Sequence, residues 1–140
     1  MKIEQDQVRG FMLKAGQECP EKPVIPSEDI RRLRLNVILE EVVELANAMG
    51  FCCQFNYTDF KPEPSWIDQV EIADAIGDLL YVTLGCAVAL GLNTQPIFDE
   101  VHRSNMTKFI DGHRREDGKW IKGPSYSPAN LEPIIKEQMK

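Results

Sequence analysis

Basic residues are in the minority: 16 lysines and arginines stand against 22 aspartates and glutamates, a formal net charge of −6. Binding to a DNA or RNA backbone rests on cationic groups meeting phosphates, so no nucleic-acid polymer is expected as a partner. Histidine is scarce, with only His102 and His113, and the four cysteines (Cys19, Cys52, Cys53, Cys86) show no CxxC spacing. Neither a zinc site nor a disulfide framework fits that pattern, and unpatterned thiols suit a reducing compartment. The longest uncharged apolar run, Leu79 to Leu92, is about 14 residues, against the roughly 20 needed to cross a bilayer. Met1 to Phe11 carries acids and no apolar signal-peptide core. A cytoplasmic protein with no membrane partner is expected. Repeats and low-complexity tracts are absent as well.

What is present is an ordinary soluble composition, 43% hydrophobic and 27% charged over 140 residues. That is one domain, 1–140, large enough to bury a core. Val8, Phe11 and Met12 suggest a short amphipathic helix ending near Gly16. Pro20, Pro23 and Pro26 break the chain before Ser27, whose following acids mark the start of a second helix running to Met49 and Gly50. Phe51 to Pro64 reads as a loop. Ser65 with Asp68 three residues on predicts the start of a third helix, which continues to about Leu90 before Gly91. A fourth starts after Asn93-Thr94, tolerates Pro96 in its first turn, and ends near Met106 or Lys108. Beyond it, about residues 111–140 form a C-terminal arm, with turn signals at Asp117-Gly118 and Gly123-Pro124 and a short last helix within Asn130 to Met139. The class is all-α with a four-helix-bundle core.

The third helix is apolar around most of its circumference, so it needs burial on several sides. Three other helices of one subunit cover it poorly. An intertwined homodimer or dimer of dimers is expected; a compact four-helix monomer with the arm as lid is the alternative.

Two acidic clusters carry the chemistry. Glu40, Glu41 and Glu44 are helix neighbours at i,i+4 and i,i+3 spacing. Glu71, Asp74 and Asp78 fall at i, i+3 and i+7, within a stripe about 60° wide. Asp74 and Asp78 are the only charges between Ile72 and Leu92, and no lysine or arginine occurs between Pro62 and Val101. Buried without a partner, such a carboxylate costs several kcal/mol. Facing stripes of like charge are tolerable once cations fill them, and all-carboxylate ligation selects a hard ion, Mg²⁺ or Mn²⁺. The alternative is that Glu40 to Glu44 face water while Asp74 and Asp78 accept backbone hydrogen bonds.

Glu40-Glu-Val-Val-Glu44 followed by Glu71-Ile-Ala-Asp74 resembles the paired EExxE and ExxD signature of the MazG-like, all-α nucleoside triphosphate pyrophosphohydrolases. Asp6-Gln7-Val8 with Phe11 resembles the opening of the short members. Ser104-Asn-Met-Thr-Lys108 is similar to their SNMxK segment, and Lys122-Gly-Pro-Ser-Tyr126 with Pro128 to their tail. The resemblance implies Glu41, Glu44, Glu71 and Asp74 as metal ligands. It implies Glu40 as the completion of a second metal site or as the group that activates water, and Glu41 shares the catalytic assignment. Asp78 is implied to support the ligands or touch the sugar; Asn105 and Lys108 are implied to touch phosphates, and Lys122 and Tyr126 to close over the nucleotide or to pin the arm to a neighbouring subunit. The implied reaction is Mg²⁺-dependent hydrolysis of a nucleoside triphosphate between the α- and β-phosphates by a metal-activated water, in a homo-oligomer. Phosphoribosyl-ATP as substrate, or a catalytically silent helical dimer that binds nucleotides or proteins, are the alternatives. Trp66 and Trp120 read as packing anchors, and His102 as a surface residue.

Overall fold

A computed structural model describes residues 2–52, 61–62, 68–116 and 118–140. Its elements are α1 (Lys2–Lys14), α2 (Glu28–Ala48), β1 (Phe51–Cys52), β2 (Lys61–Pro62), α3 (Gln69–Ala89), α4 (Thr94–Met106), α5 (Lys108–Asp111), β3 (His113–Arg114), β4 (Trp120–Ile121) and α6 (Glu132–Gln138). The fold is all-α, with each strand only two residues long. The strands pair as antiparallel hairpins: Phe51 opposes Pro62 and Cys52 opposes Lys61, while His113 opposes Ile121 and Arg114 opposes Trp120.

Local chemistry explains the helix ends. The Ser27 side chain accepts from the Ile30 N–H at 3.4 Å, and the Asn93 side chain from the Gln95 N–H at 3.2 Å. At the start of α3 the expectation needs correction. Asp68 has extended backbone (φ −107°, ψ 118°) and is itself the cap, accepting from Val70 at 2.8 Å and Glu71 at 3.4 Å. A carboxylate can take two of the free N–H groups of the first turn, so the helix begins at Gln69 rather than beside Ser65. Ser65 and Trp66 lie outside the described residues. Gly16, Gly50 and Gly91 follow α1, α2 and α3 with positive φ, as expected of C-terminal glycines.

The long helices α2 and α3 pack against each other as an antiparallel pair. Arg34, early in α2, lies beside Gly85, late in α3. Glu41 feels the charges of Asp78 and Asp74 further along, and β1–β2 closes the far end. The core is Val8 and Met12 of α1 against Leu84, Val88 and Ala89 of α3, with Cys19 and Ile30 beside it. Buried Gln5 ties α1 to the α3–α4 corner: its amide donates to Leu92 O and accepts from the Thr94 N–H at 3.0 Å and hydroxyl at 2.7 Å. Gln138 of α6 exchanges two hydrogen bonds with the Asn93 backbone, at 2.9 and 3.1 Å.

By length and composition alone, the 21-residue α3 would also serve as a membrane span. Its packing on α1 and α2 and its acidic stripe are those of a bundle helix. Within one chain it is far from covered, contrary to the burial its sequence calls for. Val70 is 75% exposed and Leu80 54%, and Leu33 and Leu35 of α2 are exposed as well.

The corner at Gly91 tests this packing. It has φ +68°, and an added Cβ would sit 2.0 Å from the Lys22 carbonyl oxygen. Gly91→Ala is expected to lose about 2 kcal/mol or more. At Gly85 the new methyl would meet Arg34, Val8 and Met12 at 3.5 to 3.9 Å, ordinary contact. Gly85→Ala is expected to gain about 0.5–1 kcal/mol from helix propensity. Thermal melts of the two variants should move in opposite directions.

Candidate active site

Five of the six predicted carboxylates converge on one groove. Glu40, Glu41 and Glu44 come from α2, and Asp74 and Asp78 from the facing side of α3. Glu41 is the centre. It is half-buried, and its Oε2 is shielded from solvent with no hydrogen-bond partner. Loss of hydration raises its pKa first; the charges of Glu44, Asp78, Glu40 and Asp74 raise it further, in that order. The other four are exposed in the single chain, so Asp74 and Asp78 do not meet the expectation of a buried, unpartnered pair. Glu71, in the first turn of α3, is exposed and is not among the charges acting on Glu41.

Among the described residues, no three acidic, histidine or cysteine side chains stand close enough to hold an ion as they are placed. The donor set still fits one. It is all oxygen, it is anionic, and the Glu41 Oε2 is left unsatisfied. Those are the properties of a hard divalent cation site.

Asn105, Lys108, Lys122 and Tyr126 form a second group, at the C-terminal end of α4. Asn105 is exposed. The Lys122 and Lys108 ammoniums lie 5.3 and 5.9 Å from the Tyr126 ring centroid. The arm is held there firmly. Arg103 forks onto Glu100 with two 2.8 Å bonds and reaches Ser127 Oγ at 3.2 Å and Pro128 O at 3.1 Å. Glu100 also accepts from Asn130 N–H at 2.8 Å, and these bonds hold its carboxyl down to about 2. Buried Ser104 shares a 3.0 Å hydroxyl bond with Tyr126 and donates to Ser127 O at 2.8 Å. The Trp120 indole donates to Lys108 O at 2.8 Å and packs on Phe109, so it anchors packing. His102 is exposed.

No described hydrogen bond or ion pair joins this group to the acidic groove, and no lysine acts on Glu41. Helix α4 packs on α1 and α5. Among the described residues of one chain, then, the arm cations make no bond to the carboxylates. The cation nearest the carboxylates along α2 is Arg34, which sequence reasoning passed over. Its signal was available: it precedes Glu41 by seven residues, so both share one helix face.

A sequence profile of the phosphoribosyl-ATP pyrophosphohydrolases matches residues 8–105. That span takes in α2, α3 and both acidic clusters. The chain belongs to this family. The family is part of the MazG-like all-α superfamily and acts as a pyrophosphohydrolase on a nucleotide substrate. No individual curated protein matches the chain. The match ends at Asn105, before Lys108, Lys122 and Tyr126.

The Glu41 environment predicts an inverted pH dependence for a glutamate. Its folded-state pKa lies above its unfolded value, so the folded state binds the extra proton. In metal-free buffer its contribution is fully present below the unfolded value and is lost as pH rises through the raised folded value. Denaturant midpoints measured across the acid range should show this decline in the wild type and a flatter profile in Glu41→Gln.

Proposed function

We propose that the protein hydrolyses a nucleoside triphosphate between its α- and β-phosphates, dependent on Mg²⁺ or Mn²⁺, giving the monophosphate and pyrophosphate. The observation that carries this reading is the solvent-shielded, unpartnered Glu41 oxygen among four further carboxylates. Glu41, Glu44 and Asp74 would hold the cation, with Glu71 joining from the first turn of α3. When bound, the ion supplies positive charge to phosphate oxygens and acidifies the attacking water.

The chain's own residues do the rest. Glu40, exposed and one residue from Glu41, or Glu41 itself, accepts the water proton as the new P–O bond forms and the bridging P–O bond breaks. Asp78 keeps the groove anionic one turn beyond Asp74, or touches the sugar. Asn105 offers a donor and an acceptor, and Lys108 and Lys122 offer point charges that suit phosphate oxygens. Both lysine ammoniums lie over the Tyr126 ring. For these arm residues to reach a nucleotide at the carboxylates, the working form is a homo-oligomer in which one copy's arm meets another's groove. The uncovered apolar residues of α2 and α3 support that assembly.

The family match favours a second reading, phosphoribosyl-ATP as the substrate. The same bond is broken in both cases. Incubation with Mg²⁺ and a panel that includes phosphoribosyl-ATP, followed by a pyrophosphate assay, separates the two; release of orthophosphate alone would refute both.

Glu44→Ala and Asp74→Ala are each expected to lower turnover at least 100-fold while circular dichroism stays helical. Unchanged turnover in both would remove the site. Lys108→Ala should raise KM for the triphosphate about tenfold with little change in the Mg²⁺ concentration for half-maximal rate, a loss on the order of 1.4 kcal/mol. Equal losses in both would contradict a phosphate contact.

A further inference from the structure

Arg34 has no charged partner among the described residues. Its guanidinium lies where α1, α2 and α3 meet, with Nη1 against buried Gly85 beside Val8 and Met12. Its charge acts on Cys86, the next residue of α3, opposing the burial that pushes that thiol up. Of its five N–H donors, only Nη2 has a partner among the described residues, Gln17 Oε1 at 2.6 Å; Nε is shielded from water and bonded to nothing. No described carboxylate forms an ion pair with it. A half-buried guanidinium with free donors is costly unless an anion completes it.

The helix period says where that anion lies. Seven residues at about 100° each return Arg34 to within roughly 20° of the Glu41 face, about 10 Å along the axis. On the partner helix Gly85 is likewise seven residues beyond Asp78. The α2–α3 pair therefore carries a cation beside Gly85 at one end, next to Val8 and Met12, carboxylates in the middle, and β1–β2 at the far end. We infer that Arg34 binds the β- and γ-phosphates, the pyrophosphate leaving group, so that the triphosphate runs along the groove towards Gly85 and the nucleoside towards β1–β2. The assignment rests on the pyrophosphohydrolase reading for the bond at the carboxylates. A planar, forked donor suits a phosphate better than a lysine would, and charge placed on the leaving side stabilises the oxygen that gains charge as the bond breaks.

The test is equilibrium binding, which needs no turnover. Calorimetric titration with inorganic pyrophosphate, and separately with a nucleoside monophosphate, both with Mg²⁺, is made on the wild type, Arg34→Met and Arg34→Lys. Pyrophosphate affinity should fall at least tenfold in Arg34→Met and less in Arg34→Lys, with monophosphate affinity within twofold. Equal loss of both ligands, or a wild type that does not bind pyrophosphate, overturns the assignment. So does unchanged pyrophosphate binding in a folded Arg34→Met; should that variant fail to fold, full affinity in Arg34→Lys together with full affinity in the shorter, uncharged Arg34→Gln overturns it instead. A wild type that binds pyrophosphate through Arg34 yet releases none from any triphosphate would sink the proposed reaction and leave the binding site standing.

Discussion

Like charges brought together on facing helices are the constraint on which the rest of the molecule depends. Antiparallel packing of α2 and α3 sets Glu40, Glu41 and Glu44 opposite Asp74 and Asp78, and Glu41 bears the result in a raised pKa. Two unit charges 4 Å apart at an effective dielectric near 20 repel by about 4 kcal/mol. Among the described residues, no cation is among the groups that act on Glu41. The arrangement therefore works against the stability of the isolated chain. The core of Val8, Met12, Leu84, Val88 and Ala89, together with the Gln5 bonds at the α3–α4 corner, offsets it. A helix pair strained in this way gains most from whatever brings positive charge between its members.

Much of this was legible in the chain because the signals were local. Helix ends follow from Ser27, Asn93 and the three glycines with positive φ, each of which acts within one turn of its own position. The acidic stripes were legible for the same reason, since i,i+3 and i,i+4 spacing fixes which face a residue takes. Asp68 was misread because two caps compete there. Ser65 and Asp68 both suit an N-cap, and the observed start belongs to the residue whose carboxylate takes two N–H groups.

What the sequence hid was relational. Glu71 belongs to the same stripe as Asp74 and Asp78 by spacing, yet its place in the first turn leaves it outside the charges that act on Glu41. Whether Lys108 and Tyr126 lie near the carboxylates depends on how α4 leaves the α3 corner, which no spacing rule encodes. Bonds from Arg103, Glu100 and Ser104 then fix the arm to α4, so the two clusters cannot close on each other by a simple swing of the tail. Spacing put Arg34 on the Glu41 face but could not say what it meets across the groove. An arginine in the run Arg31-Arg-Leu-Arg34 reads as solvated surface until the register of α2 against α3 puts Gly85 beneath it.

The apolarity of α3 and its acids belong to one physical problem. Cover over the carboxylates themselves would remove water from the groove, and the repulsion among them would grow as the local dielectric fell. The same loss of water would strengthen attraction to a bound cation and to a triphosphate carrying compensating charge. Left open to solvent, the groove would hold a cation only weakly, because water screens both effects. Burying the groove and loading it with a cation would thus be coupled: each would make the other more favourable.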